Sequence, residues 1–154
     1  LDKANALSRG LLRLGVNKND KIAIISSNNR TEWHITDIGA LQTGAQTVPM
    51  YPTISAEDYE YILNHSESKY VFVSDTEVYD KLISIKANVS SLKEIFSYNE
   101  IAGCKNWKEI LELGADDSNQ DEVENTEKND RYVLFKHRIK VHFFFEEKQL
   151  PEKN

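Results

Sequence analysis

Ile22-Ala23-Ile24-Ile25-Ser26-Ser27-Asn28-Asn29-Arg30-Thr31-Glu32-Trp33, followed shortly by Gly44-Ala45-Gln46-Thr47-Val48-Pro49-Met50-Tyr51-Pro52-Thr53, decides how this chain folds. An unbroken apolar run such as Ile22 to Ile25 marks a strand covered on both faces, as in a parallel sheet. Asn29 is placed to cap a helix, with Glu32 three residues later as its capping-box partner. Ile35, Ile38, Leu41 and Ala45 then share one face over about four turns. Gly44 ends that helix, and Thr47-Val48-Pro49 reads as a second short strand. The result is a strand–helix–strand unit with the expected right-handed crossover. Pro49 and Pro52 force the chain into an extended turn beyond it.

The same alternation extends in both directions. Upstream, Ala4, Leu7, Leu11 and Leu14 recur at helical spacing, and Gly15 follows as a stop able to take positive φ. Downstream, Ser55 and Asp58 predict the start of a helix with Tyr59, Ile62 and Leu63 inward, before the strand Tyr70-Val71-Phe72-Val73. Thr76 reads as the cap of a further helix with Val78, Leu82, Ile85 and Val89 on one face, and Ile95-Phe96 as a short strand. A last short helix runs from Trp107 to Leu113 and stops at Gly114. Strands alternating with helices give an α/β fold, a partly parallel sheet with helices on both faces.

Charge divides the chain into three stretches. Residues 1–114 carry 12 basic and 15 acidic side chains, 115–130 carry 1 and 7, and 131–154 carry 6 and 3. The α/β unit is therefore assigned to 1–114. Residues 115–130 read as an acidic, solvated linker without packing, and 131–154 as an atypical basic and aromatic tail. All six glycines precede Ala115, and the tail contains no glycine, serine or threonine.

With 154 residues, 40% of them hydrophobic and 29% charged, the composition is that of one soluble domain able to bury a core. No apolar run approaches the ~20 residues of a membrane span. No secretory signal is visible, and the start at Leu1 implies a missing beginning. A net charge of −6 argues against a nucleic-acid footprint, which would show as a basic patch. Cys104 is the one cysteine, which excludes an internal disulfide and fits a reducing compartment with an inert thiol. Three glycosylation-like tripeptides at Asn29, Asn64 and Asn88 are chance matches in a chain that is not exported. His34 and His65 lack metal-ligand spacing, and no metal site is proposed. Trp33 and Trp107, with no basic groove beside them, read as core or interface aromatics.

Several ordered pieces together resemble one family. Gly15-Val16 with Asp20-Lys21-Ile22-Ala23-Ile24, Asn28-Asn29-Arg30 with Glu32-Trp33, Asp37-Ile38-Gly39 through Gly44-Ala45, Val48-Pro49-Met50-Tyr51-Pro52-Thr53 and Tyr61-Ile62-Leu63-Asn64-His65-Ser66 are similar to the N-terminal region of AMP-forming long-chain fatty-acid–CoA ligases. The resemblance covers about residues 1–114. It implies a reaction in which a fatty acid carboxylate attacks the α-phosphate of ATP, giving an acyl adenylate that coenzyme A then converts to a thioester. The complete enzyme uses fatty acid, ATP, Mg²⁺ and CoA. That chemistry needs a glycine- and hydroxyl-rich loop with a lysine, an acidic Mg²⁺ ligand and a carboxylate for the ribose, and it needs a mobile lysine in a C-terminal part. None of these is found in this chain, so no catalytic, cofactor-binding or metal residue is assigned. The scaffold alone is expected to be inactive.

Asn28, Asn29 and Arg30 follow the carboxyl end of the first strand, where α/β sheets bind ligands, but a capped turn with a surface arginine is the favoured reading. Tyr51, Pro52 and Thr53 either line the acyl site or form a rigid turn packing against a further domain. The tail has two readings, a genuine ending in which Ile139 to Phe143 adds an edge strand, or an out-of-frame replacement of the phosphate-loop strand. The second is favoured, and translating the source DNA past codon 130 in its other frames tests it. The functional alternative is a stand-alone, non-catalytic α/β binding or interaction module; an unrelated nucleotide-binding protein lacks the glycine-rich motif. The location read from these features is cytoplasmic, with peripheral contact to the inner membrane surface left open. Oligomeric state and acyl chain-length preference are not legible.

Overall fold

The computed structural model describes residues 2–126. Its elements are α1 (Asp2–Arg13), β1 (Lys21–Ile25), α2 (Thr31–Gln42), β2 (Gln46–Met50), α3 (Ala56–Ser66), β3 (Ser68–Val73), α4 (Thr76–Ile85), β4 (Glu94–Ser97), β5 (Lys105–Asn106) and α5 (Lys108–Leu113). A 3-10 turn at Lys86–Asn88 extends α4. The five strands pair in the order β2-β1-β3-β4-β5, and every pairing is parallel. Among the described residues the sheet is thus wholly parallel, and it includes a two-residue strand, β5, that the apolar pattern did not predict.

Alternation along each strand sorts the core into two layers. Ile22 and Ile24 of β1, Tyr70 and Phe72 of β3 and Phe96 of β4 face the helices α1, α2 and α5 through Leu7, Leu11, Ala40 and Ile110. Ala23, Ile25, Val71, Val73 and Ile95 face α3 and α4 through Tyr59, Leu63, Val78, Leu82 and Ile85. Both tryptophans belong to the first layer, Trp107 buried edge-on against Tyr98 and Trp33 packed at its margin. The central strands carry almost no exposed area because both faces are covered, which is why Ile22 to Ile25 lack a polar alternate.

The first layer is held by close backbone approach and buried polar pairs. A Cβ on Gly39 would lie 2.9 Å from Leu7 Cδ2 and 3.0 Å from the Ala4 carbonyl, so α1 and α2 meet only because that position is glycine. A Cβ on Gly10 would lie 2.1 Å from the Ile110 carbonyl oxygen, which sets the distance between α1 and α5. Ser8 Oγ donates to Gln42 Oε1 at 2.7 Å, and Gln42 Nε2 donates to Asn5 Oδ1 at 2.9 Å. Asp37, buried on α2, accepts from Thr47 Oγ1 at 2.7 Å and ties the helix to β2. Among the described residues, no buried side-chain polar atom lacks a hydrogen-bond partner.

Three expectations need correction. Asn29 does not cap α2: Arg30 occupies the N-cap without a side-chain hydrogen bond to the helix, and Glu32 turns to the Arg30 guanidinium instead. Strong charge pairing there overrides the capping box that the spacing predicts. The cap of α4 is Asp75, one residue before Thr76, accepting from the Val78 amide at 3.1 Å. The cap of α3 falls where the sequence places it, with Ser55 Oγ accepting from the Asp58 amide at 3.1 Å.

The third correction concerns the acidic stretch, whose described part packs. Residues 120–126 are helical and Val123 is buried. Two arginines one turn apart on α1 gather this segment. Arg9 donates to the Gly114 carbonyl at 2.9 Å and Gln120 Oε1 at 2.6 Å. Arg13 donates to the Leu113 carbonyl, to Asp116 Oδ1 at 2.6 Å, to Ser118 Oγ at 2.9 Å and to Asn119 Oδ1 at 3.1 Å. Composition misses this because the partners lie about 100 residues apart in sequence; Val123, the lone apolar residue between 116 and 126, is the signal available. The tail readings for residues 131–154 lie outside the described residues.

Candidate functional site

The order of the strands locates the place to look. From β1 the chain passes through α2 to β2 on one side, then returns through α3 across the other face to β3, so the direction of winding reverses between β1 and β3. In open α/β sheets, ligands bind outside the carboxyl ends of the strands at such a reversal. Here those ends carry Ser26 to Arg30 after β1, Ser74 and Asp75 after β3, and Tyr98 and Asn99 after β4.

These residues form one connected polar network. Ser74 Oγ accepts from the Ser27 amide at 2.9 Å and donates to Asp75 Oδ2 at 2.7 Å, and Ser27 Oγ donates to the same carboxylate. Asn99 Nδ2 donates to the Ser74 carbonyl at 2.6 Å. Arg30 Nη1 donates to Asn99 Oδ1 at 2.9 Å, Arg30 Nη2 pairs with Glu32 Oε1 at 3.1 Å, and the guanidinium lies 5.5 Å from the centre of the Tyr98 ring. Tyr98 in turn donates to Thr36 Oγ1 at 3.0 Å, linking the edge to the first layer. The network thus joins β1, β3, β4 and α2 at one edge.

Its electrostatics are those of a closed structure. Burial opposes the Asp75 charge, but hydrogen bonds from Ser27 and Ser74 and the backbone amides of Val78 and Glu77 hold the carboxyl below its usual range. The Arg30 hydrogen bond holds Glu32 low in the same way. Burial pushes the Tyr98 hydroxyl far up, so it stays protonated and donating. Burial also raises the Cys104 thiol, which suits an inert residue better than a nucleophile.

The donor set does not fit a nucleotide phosphate or Mg²⁺. Arg30, the cation nearest the reversal, is engaged by Glu32 and Asn99, and the Asp75 carboxylate is engaged by two hydroxyls and a helix cap. Among the described residues no group of three or more His, Cys, Asp or Glu side chains could hold a metal ion. His34 is exposed, edge-on to Trp33, and His65 is exposed and stacked on Tyr61.

Tyr51, Pro52 and Thr53 follow the carboxyl end of β2, an edge strand, and are not part of the network at β1, β3 and β4. Tyr51 is 55% exposed, and its carbonyl accepts from the Tyr59 hydroxyl at 2.8 Å. That bond anchors the turn to α3. The sequence reading favours a capped turn with a surface arginine for Asn28 to Arg30 and does not single out Ser74, Asp75, Tyr98 or Asn99. The rule that singled out the residues after Ile25 also applies after Val73 and after Phe96, where polar residues likewise follow an apolar strand.

Comparison with known proteins agrees with this architecture. The AMP-binding enzyme family matches residues 1–135. A long-chain-fatty-acid–CoA ligase of Xenopus laevis is 28% identical over 134 residues, covering 82% of this chain and 18% of the relative. Fatty acyl-CoA synthetase A of Dictyostelium discoideum is 34% identical over 99 residues, covering 64% and 14%. The fold is shared with the crystal structure of a long-chain-fatty-acid-CoA ligase from Archaeoglobus fulgidus, at a TM-score of 0.65 and 20% identity over 73% of this chain and 22% of that one. The chain therefore spans less than a fifth of the curated relatives just described. A family match over residues 1–135, most of this chain, establishes that the chain belongs to the AMP-binding enzyme family.

Proposed function

We propose that this chain is scaffold from the N-terminal part of an AMP-forming long-chain fatty-acid–CoA ligase, assigned to residues 1–114, and that it has no ligase activity alone. The observation that carries the reading is the chemistry of the sheet's carboxyl edge. Its arginine is engaged by Glu32 and Asn99, and its Asp75 carboxylate by two serine hydroxyls and the α4 cap amide, so it supports structure and leaves phosphate handling to other parts of an enzyme several times longer. In the complete enzyme, ATP, Mg²⁺ and CoA act with a fatty acid, and Tyr51, Pro52 and Thr53 would contribute one wall of the acyl site. The exposed, anchored turn at Tyr51 supports that role. A cytoplasmic setting is supported by the single cysteine, which fits a reducing compartment; among the described residues no helix is long and apolar enough to cross a membrane. Contact with the inner membrane surface has no support in the described residues and is not proposed.

The test is direct. Purified chain incubated with ATP, Mg²⁺, palmitate and CoA should form neither acyl adenylate nor acyl-CoA by mass spectrometry, and product above a no-protein control would refute the reading. A stand-alone interaction module is the second reading. It is favoured by the hydrogen bonding of every buried side-chain polar atom among the described residues, which gives the unit a finished interior.

A further inference from the structure

Residues 115–126 are attached to the unit by a different chemistry from the helices of the sandwich. They contain Asp116, Asp117, Asp121, Glu122 and Glu124 and no basic residue. Val123 is the one buried side chain among them, whereas α3 buries Tyr59 and Leu63, and α4 buries Val78, Leu82 and Ile85. Their backbone hydrogen bonds are local: Ala115 donates to Glu112, Gln120 to Asp117 and Glu122 to Asn119, and among the described residues none reaches α1 or the sheet. Side chains of α1 hold the segment in place.

Its route is set at both ends. At the start, Gly114 is buried so close to α1 that a Cβ there would stand 1.9 Å from the Ala6 carbonyl oxygen and 2.6 Å from the Gly10 nitrogen. At the other end, Thr126 reaches the turn before β2, where its Cγ2 would stand 3.2 Å from a Cβ on Gly44. Arg9 and Arg13 lie between. Arg9, 9% exposed, has neutral acceptors, the Gly114 carbonyl and Gln120 Oε1. Arg13 supplies the ionic contact: its Nη2 pairs with Asp116 Oδ1 at 2.6 Å and also donates to Ser118 Oγ and Asn119 Oδ1. The Arg13 hydrogen bond holds the Asp116 carboxyl well below its usual range, so the contact is ionised at neutral pH. Water reaches it, since the Asp116 side chain is 67% exposed.

A segment with one buried apolar side chain and solvated polar contacts belongs to the low end of local opening free energies. We propose that residues 115–126 are a strap that opens and closes as a unit of its own while the sheet stays folded, with Arg13 as its latch. Closed, the strap carries the chain along α1 from Gly114 to the turn at Gly44. Open, it withdraws Thr126 from that turn and uncovers Val123. Arg9 permits this motion, because it keeps the Gly114 carbonyl and loses only a neutral amide, which water replaces; loss of a buried carboxylate partner would leave an uncompensated charge. Five carboxylates in twelve residues repel one another and favour the solvated, open form, and Arg13 opposes them.

The test is native-state hydrogen exchange on the full chain, read by mass spectrometry on peptides from 115–126 and from 76–85. In low urea, exchange in 115–126 should be faster than in 76–85 and nearly indifferent to the denaturant, as a local opening requires, while exchange in 76–85 rises with urea. Arg13→Gln should speed exchange in 115–126 about tenfold, the scale of lost hydrogen bonds to a charged group, and leave 76–85 unchanged. Asp116→Asn should act in the same direction by about threefold. Lys81→Gln, which breaks the Glu77 pair on the opposite layer, should leave 115–126 unchanged. Three results would overturn the strap: exchange in 115–126 at the unprotected rate in the unaltered chain, urea dependence equal to that of 76–85, or acceleration by Arg13→Gln shared equally by both regions. Indifference of 115–126 to both Arg13→Gln and Asp116→Asn would remove Arg13 as the latch. The urea comparison uses the unaltered chain, so the strap is decided even where a variant fails to fold.

Discussion

The two helical layers reach the same degree of burial by different chemistry. α3 and α4 cover their side of the sheet with aliphatic and aromatic side chains from capped, amphipathic helices. α1, α2 and α5 cover theirs with Leu7, Leu11, Ala40 and Ile110 and add glycines at the helix contacts and buried Ser8, Arg9, Thr36, Asp37 and Gln42. The first arrangement is tolerant and local, because it needs apolar volume at the right period. The second depends on fitted backbone distances and on partners distant in sequence, so a small change in one helix is felt in another.

Leu82→Ala in the aliphatic layer should cause the largest loss. Leu82 is fully buried, and truncation should cost about 3 kcal/mol through lost burial and a residual cavity. Urea titration followed by far-ultraviolet circular dichroism measures it. Gly10→Ala tests the other layer and comes next, with an expected loss of about 2 kcal/mol from overpacking against the Ile110 carbonyl. Helix propensity alone favours alanine over glycine by about 1 kcal/mol. A stabilised Gly10→Ala variant would therefore erase the contrast between the layers.

The smallest effect sharpens the comparison at the helix starts. Asp75→Ala should lose about 1 kcal/mol at neutral pH, whereas Asn29→Ala should be close to neutral, since α2 uses no side-chain cap. The Asp75 carboxyl is depressed in the folded state, so its contribution is present above the ordinary carboxylate range near about 4 and disappears as pH falls through the lower folded value. The gap between wild type and Asp75→Ala in urea midpoint should accordingly narrow on acidification. A gap that widens at low pH would show that Asp75 acts in its neutral form.

The same contrast explains what the sequence made legible. The order of the elements apart from β5, the α/β class with a partly parallel sheet and the Ser55 cap were readable because apolar period and local capping are short-range signals. α2 was readable as a helix, but its orientation was not: its buried face holds Thr36, Asp37 and Gln42, whose burial depends on Tyr98, Thr47, Ser8 and Asn5. The docking of residues 116–126 was hidden for the same reason, since Arg9 and Arg13 supply its partners from the opposite end of the unit. At the carboxyl edge, Arg30 reads from sequence as a surface arginine, and its engagement by Asn99 was not legible because Asn99 comes from β4's end, 69 residues away.

The placement of both tryptophans has a practical corollary for anyone studying this protein in solution. Trp33 and Trp107 border the same layer, and α3 and α4 contain none. Intrinsic emission excited in the red edge of the protein band is therefore a one-sided reporter: it registers loosening around α1, α2 and α5 and is dark to events in α3 and α4. A transition seen by emission but displaced from the circular dichroism curve would mean that the two halves of the sandwich melt in sequence.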